Sequence, residues 1–110
     1  MRIALIGQAA FGKDVLNALI KNGGNVVATF CPPDTAVDRI DPVKEASQSH
    51  NLPVYQYKRM RTKEAVSKFI SLDVDLCVMA FVTDIVPMEI IEAPTFETIQ
   101  YHPSLLPEHR

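Results

Sequence analysis

The sequence has 110 residues, 47% of them hydrophobic and 22% charged, with a formal net charge of −2. That length fits one domain or part of one. The charge excludes a surface built mainly for nucleic acid, which needs clustered excess Lys and Arg, and no apolar stretch reaches the roughly 20 residues that span a bilayer. The apolar run at 1–7 is too short for a signal peptide and lacks a small-residue cleavage site, so a cytoplasmic location is expected.

Residues 2–6 form a short apolar run ending at Gly7 and read as a buried strand. A helix follows over 11–21, with Phe11, Val15, Ala18 and Leu19 on one side and a stop at Gly23-Gly24. Residues 25–31 are rich in β-branched side chains and end at Pro32-Pro33, which predicts a second strand. A polar loop over 34–41 leads to Pro42, well suited to the first turn of a helix over 43–50 with Asp41 as N-cap. A third strand over 52–57 precedes a helix over 63–72 capped by Thr62, whose Ala65, Val66, Phe69 and Ile70 share a face. Residues 75–81 are the most apolar strand and are expected at the centre of the sheet; a short helix over 87–91 and a fifth strand over 97–102 complete the pattern. Strands alternating with helices at this spacing predict an α/β, doubly wound, mainly parallel sheet of about five strands. Ligands of such sheets bind beyond the C-terminal strand ends, here after Ile6, Cys31, Phe81 and Tyr101.

Cys31 and Cys77 lie far apart within or beside apolar runs, as buried free thiols do, and without a Cys/His cluster no metal site is expected. The stretch 7–14, GQAAFGKD, imitates a phosphate loop but carries Asp14 where a Mg²⁺-ligating hydroxyl belongs, and it lacks the dinucleotide fingerprint. It reads instead as a glycine turn that lets the first helix pack close to the sheet.

The segment 98–107, TIQYHPSLLP, carries the chemistry. Alternation along a strand puts Thr98, Gln100 and His102 on one face, so an imidazole and an amide converge at the mouth of the sheet. His102 can exchange a proton near neutrality and Gln100 can donate to a developing oxyanion, an arrangement suited to carbonyl chemistry. A structural His and an amide satisfying a backbone group fit the same residues. An apolar strand followed by His-Pro-Ser-Leu-Leu-Pro resembles the signature of the formyltetrahydrofolate-dependent formyltransferase and hydrolase family, and the likeness covers the whole chain. The opening RIALIGQ..FG, the stretch PMEII at 87–91 and Tyr101 before His102 resemble the N-terminal hydrolase domain of formyltetrahydrofolate dehydrogenase. That branch carries an apolar residue two places before the histidine and the transferase branches usually Asn; here it is Gln100.

The resemblance implies an enzyme acting on 10-formyltetrahydrofolate, without a metal, by transfer of the formyl group to an amine or its hydrolysis. His102 and Gln100 would be catalytic. The folate would meet Phe81, Val82, Thr83, Asp84 and Ile85 after the fourth strand, and Ser104 in the motif. A plain strand-to-helix connection fits residues 81–85 equally well. The basic Lys58, Arg59 and Arg61 suit either a solvated face or contact with folate carboxylates. The small-molecule partner is then folate, with the formyl acceptor open and nucleic acid expected only if the full protein acts on tRNA; a non-catalytic folate-binding fragment is the other class. The family also needs an aspartate some tens of residues beyond the histidine, which no upstream residue replaces. Residues 1–110 are therefore expected to be the N-terminal part of a catalytic domain, inactive alone, with an uncovered sheet edge that invites self-association.

Overall fold

In a computed structural model, residues 1–101 are described. Five strands, β1 (Arg2–Gly7), β2 (Asn25–Cys31), β3 (Val54–Gln56), β4 (Leu76–Ala80) and β5 (Glu97–Tyr101), alternate with four helices, α1 (Ala9–Lys21), α2 (Pro42–Ser49), α3 (Lys63–Ser71) and α4 (Met88–Ile91). All strand pairs are parallel, in the order β3-β2-β1-β4-β5. The chain winds outward from β1 to β3, then crosses back to place β4 on the other side of β1. The junction between β1 and β4 is thus the point where winding reverses, the usual ligand crevice of such sheets.

Two apolar cores lie one on each side of the sheet; Ala65, Val66 and Phe69 of the predicted α3 face join one of them, whereas Ile70 is exposed. Leu5, Leu16, Val43, Ala46 and Val78 form one beneath α1 and α2. Ile6, Phe30, Ala65, Phe69, Cys77 and Ile90 form the other beneath α3 and α4. The register between β1 and β2 steps from Ile3↔Val26 to Ala4↔Ala28, so Val27 is an extra residue in β2. Predicted caps are present: the Asp41 carboxylate accepts from Val43 N–H at 2.9 Å and the Thr62 hydroxyl from Ala65 N–H at 3.2 Å.

Three details differ from expectation. The middle strand is β1, five of whose six residues are buried; apolar character reports burial on both faces, and β4 earns it between β1 and β5 without being central. The most deeply buried positions of α1 are Gly12 and Leu16; Val15 and Leu19 of the predicted face pack at the margin of that core and, with Phe11 and Ala18, border an apolar groove shared with Tyr101. The closest approach falls to the residue without a side chain: a β-carbon on Gly12 would sit 2.7 Å from a Val43 methyl. β3 is only three residues long. Asn51 before it has a left-handed φ of 58°, and Pro53 has no N–H to donate, although its carbonyl accepts from Thr29 N–H.

Candidate functional site

At the C-terminal ends of the strands lies a cavity of about 660 Å³. Its walls come from four segments: Ile6 to Gln8 at the end of β1, Phe30 to Thr35 at and beyond the end of β2, Tyr57 to Arg61 after β3, and Val82 to Ile85 after β4. Three of the four places flagged by the strand-end rule therefore open into one space. Phe30 is the aromatic hub beneath it, with ring centroids 5.3 Å from Tyr55, 6.4 Å from Tyr57 and 5.7 Å from Phe69. Tyr57 and Phe30 both reach the cavity and offer it an aromatic surface.

The loop after β4 is tied in from three sides. Phe81 has a left-handed φ of 57°, a conformation that is costly for a side chain other than glycine, and its N–H donates to Tyr101 O at 3.0 Å. The Thr83 hydroxyl donates to Gln8 Oε1 at 3.4 Å, and the Asp84 carboxylate accepts from Met60 N–H at 2.7 Å. The loop after β1 is held similarly. Ala9 has φ 64°, and its N–H donates to both oxygens of Asp41 at 3.0 and 3.1 Å, so one carboxylate serves the cap of α2 and the entry to α1. Gly7 and Gly12 allow α1 to pack close, as read from residues 7–14, since a β-carbon on Gly7 would sit 2.9 Å from Ala80 O, but the left-handed residue of the turn is Ala9 rather than a glycine.

The cavity has mixed charge. Lys58, Arg59 and Arg61 line one wall and are exposed. The sole ion pair among the described residues is Lys44 with Asp34, at 2.7 Å. Hydrogen bonds from Lys44 and Gln56 hold the Asp34 carboxyl below its ordinary range. Cys31 also borders the cavity, but burial and then the nearby Asp41 and Asp34 carboxylates push its thiol up to about 12. Burial pushes Cys77 up to about 12 as well. Both thiols are free and buried, as expected from their surroundings, and neither is a nucleophile near neutrality. Among the described residues no group of three His, Cys, Asp or Glu could hold a metal ion, and no helix is long and apolar enough to cross a membrane.

Of the residues singled out in the sequence, Val82, Thr83, Asp84 and Ile85 line the cavity together with Lys58, Arg59 and Arg61. Phe81 stands at the base of that loop and is not among the lining residues. Thr98 donates its hydroxyl to Ile91 O at 2.7 Å, which fixes the α4 side as the face it shares with Gln100. Gln100 is exposed and lies apart from the cavity lining. His102 and Ser104 lie outside the described residues. Sequence reasoning missed Gln8, Tyr57 and the Asp41 clamp; Tyr57 and Gln8 were within reach of the strand-end rule, since each directly follows a strand.

The family profile described as Formyl transferase matches residues 1–110. The chain belongs to that family. Relatives at this level include the cytosolic 10-formyltetrahydrofolate dehydrogenase of Homo sapiens, 42% identical over the whole chain and 13% of the relative. The Xenopus tropicalis enzyme of the same name is 39% identical over the same shares. Methionyl-tRNA formyltransferase of Bacillus mycoides is also 39% identical, with 37% of its length covered. The chain thus spans about one eighth of the dehydrogenases it matches. A mitochondrial dehydrogenase of Mus musculus is similar as well, at 38% identity. Among solved structures, phosphoribosylglycinamide formyltransferase of Bacillus halodurans superposes with a TM-score of 0.71 at 22% identity, covering 97% of this chain and 58% of that one. Family membership and the five-stranded parallel fold agree with the resemblance read from the HPSLLP motif.

Proposed function

We propose that residues 1–110 are the folate-binding, N-terminal part of a catalytic domain that moves or hydrolyses the formyl group of 10-formyltetrahydrofolate. One observation carries the reading: the loop after β4 and the basic Lys58, Arg59 and Arg61 are two walls of a single cavity at the winding-reversal point. A folate has matching parts, a flat hydrogen-bonding ring system, an aromatic linker and an anionic glutamate end. Apolar Val82 and Ile85 suit the ring, Phe30 and Tyr57 suit the linker, and the cations suit the carboxylates. The names of the relatives support the same substrate.

In this mechanism water or an amine adds to the formyl carbon and loses a proton to the aspartate that the family resemblance implies beyond the histidine, giving a tetrahedral intermediate with a negative oxygen. His102 stabilises that intermediate, and Gln100 donates a hydrogen bond to the oxyanion. His102 then delivers a proton to the folate nitrogen as its bond to carbon breaks. Formate, or the formylated amine, leaves together with tetrahydrofolate. The same resemblance assigns Ser104, two residues beyond the histidine in sequence, to folate binding. The likeness to methionyl-tRNA formyltransferase favours transfer to an amine as the second reading, and a binding role without turnover is the third. A soluble, cytoplasmic protein without a resident metal goes with each.

The test is turnover of 10-formyltetrahydrofolate by the full protein and its His102→Ala variant, with and without an amine acceptor. A loss of two or more orders of magnitude is expected, in line with removal of a proton-transfer group, which contributes about 10²–10⁴-fold. Equal turnover removes His102 from the mechanism; folate binding without turnover in the parent leaves the binding role.

A further inference from the structure

Asp84 stands in the loop assigned to folate, and its position suggests a ligand contact to the pterin. Its hydrogen bonding points elsewhere. Oδ2 accepts from the backbone N–H of Met60 at 2.7 Å, and Met60 is a buried residue of the core under α3 and α4. A buried amide needs a partner, and this one has its partner in a different loop. The bond joins the β4–α4 loop to the β3–α3 loop, both of which line the cavity. The β3–α3 wall carries Lys58, Arg59 and Arg61 on either side of Met60, so the tether also fixes where those cations stand.

Two features make the tether necessary. Phe81, at the root of the loop, holds a left-handed φ of 57°, which persists only where the surroundings over-determine it. The other side-chain attachment of the loop, Thr83 to Gln8, is long at 3.4 Å and exposed. Asp84 supplies the short, charge-assisted bond.

We propose that Asp84 is a positioning residue: its carboxylate sets the separation of the two walls and so pre-organises the cavity, and it does not itself contact the folate ring. The inference rests on the folate reading of the cavity. It differs in its consequence for Asp84→Asn, which keeps a carbonyl oxygen for Met60 N–H but loses the charge a pterin contact would use.

The full protein and three variants, Asp84→Asn, Asp84→Ala and Asp75→Ala, are compared by calorimetry with 5-formyltetrahydrofolate and by hydrogen exchange at the Met60 amide. Asp75 is the control: its carboxylate accepts from Arg2 N–H at 2.7 Å, at the opposite end of the sheet. Asp84→Ala is expected to weaken binding about tenfold or more, the equivalent of one charge-assisted hydrogen bond, and to speed exchange at Met60. Asp84→Asn is expected to stay within about threefold of the parent in both readouts. Asp75→Ala is expected to lower thermal stability with affinity unchanged. If Asp84→Asn loses affinity as Asp84→Ala does while Met60 stays protected, Asp84 is a ligand contact and the proposal fails. Unchanged affinity and exchange in Asp84→Ala overturns it as well. Absence of binding in the parent refutes the folate reading instead, and the Met60 exchange rates still decide whether the tether exists.

Discussion

Asp41 offers a sharp test of how the cavity rim is held. Replacement by Ala removes three contacts at once: the cap on Val43 N–H at 2.9 Å and the paired acceptance from Ala9 N–H at 3.0 and 3.1 Å. Losing an N-cap costs about 1 kcal/mol. Leaving the half-buried Ala9 amide without a partner costs about 1–3 kcal/mol more. The sum is roughly 2–4 kcal/mol, a large part of the roughly 5–15 kcal/mol that keeps a domain folded. Relaxation of Ala9 from its left-handed φ of 64° recovers some of this, so the lower half of the range is expected. Urea denaturation monitored by circular dichroism measures the difference, and the thermal midpoint should fall by about 10 °C or more for a domain of this size. Asp41→Asn keeps one acceptor oxygen and should lose about half as much. Because the Asp41 charge is the second cause, after burial, of the raised Cys31 thiol, both variants should also bring the titration of that thiol down. A loss below about 1 kcal/mol, equal in the two variants, would refute the reasoning by showing that water replaces the carboxylate at Ala9.

The thiols and the glycine of α1 give further expectations. Both thiols have an ordinary value of 9.0 and are raised to about 12 in the fold. The folded state therefore holds their protons more tightly than the unfolded state. That contribution is complete below pH 9 and is lost as pH rises to about 12, so denaturation midpoints should fall across that window and a Cys31→Ser, Cys77→Ser variant should lack this step. Thiol-reactive dyes at pH 8 should label Cys77, which is fully buried and away from the cavity, only at the rate of unfolding. Gly12→Ala should be destabilising by about 1–2 kcal/mol, because the clash with Val43 outweighs a helix-propensity gain of about 1 kcal/mol; a stabilised variant would show that Val43 yields easily.

Much of this architecture was legible in the residues because local and global preferences agree. Asp41 before Pro42 and Thr62 before the α3 stripe specify helix starts through their own oxygen atoms, and both caps are present. The run 25–31 specifies β2. What was not legible depends on which elements become neighbours. The central place of β1 follows from the crossover that seats β4 beside it, and no property of either strand alone encodes that. The buried line of α1 through Gly12 and Leu16 reflects α2 packing against it through Val43, whereas hydropathy alone selected Phe11, Val15, Ala18 and Leu19, of which Val15 and Leu19 pack at the margin of the core. The cavity was legible as a location, through the strand-end rule, and the β4–α4 loop through family likeness. The meeting of that loop with Lys58, Arg59 and Arg61 joins segments more than twenty residues apart. The Asp84 to Met60 bond has no sequence signal, since its donor is a backbone amide that every residue but proline carries.

The folate assignment of the cavity is tested most directly by backbone amide resonances followed during titration with 5-formyltetrahydrofolate. The account predicts saturable shifts at Val82 to Ile85 and at Tyr57 to Arg61, the two loops joined by the Asp84 to Met60 bond, with Phe11, Val15 and Leu19 unmoved. Shifts confined to the groove beside α1, or no shifts at ligand concentrations far above the folate level of a cell, would contradict it.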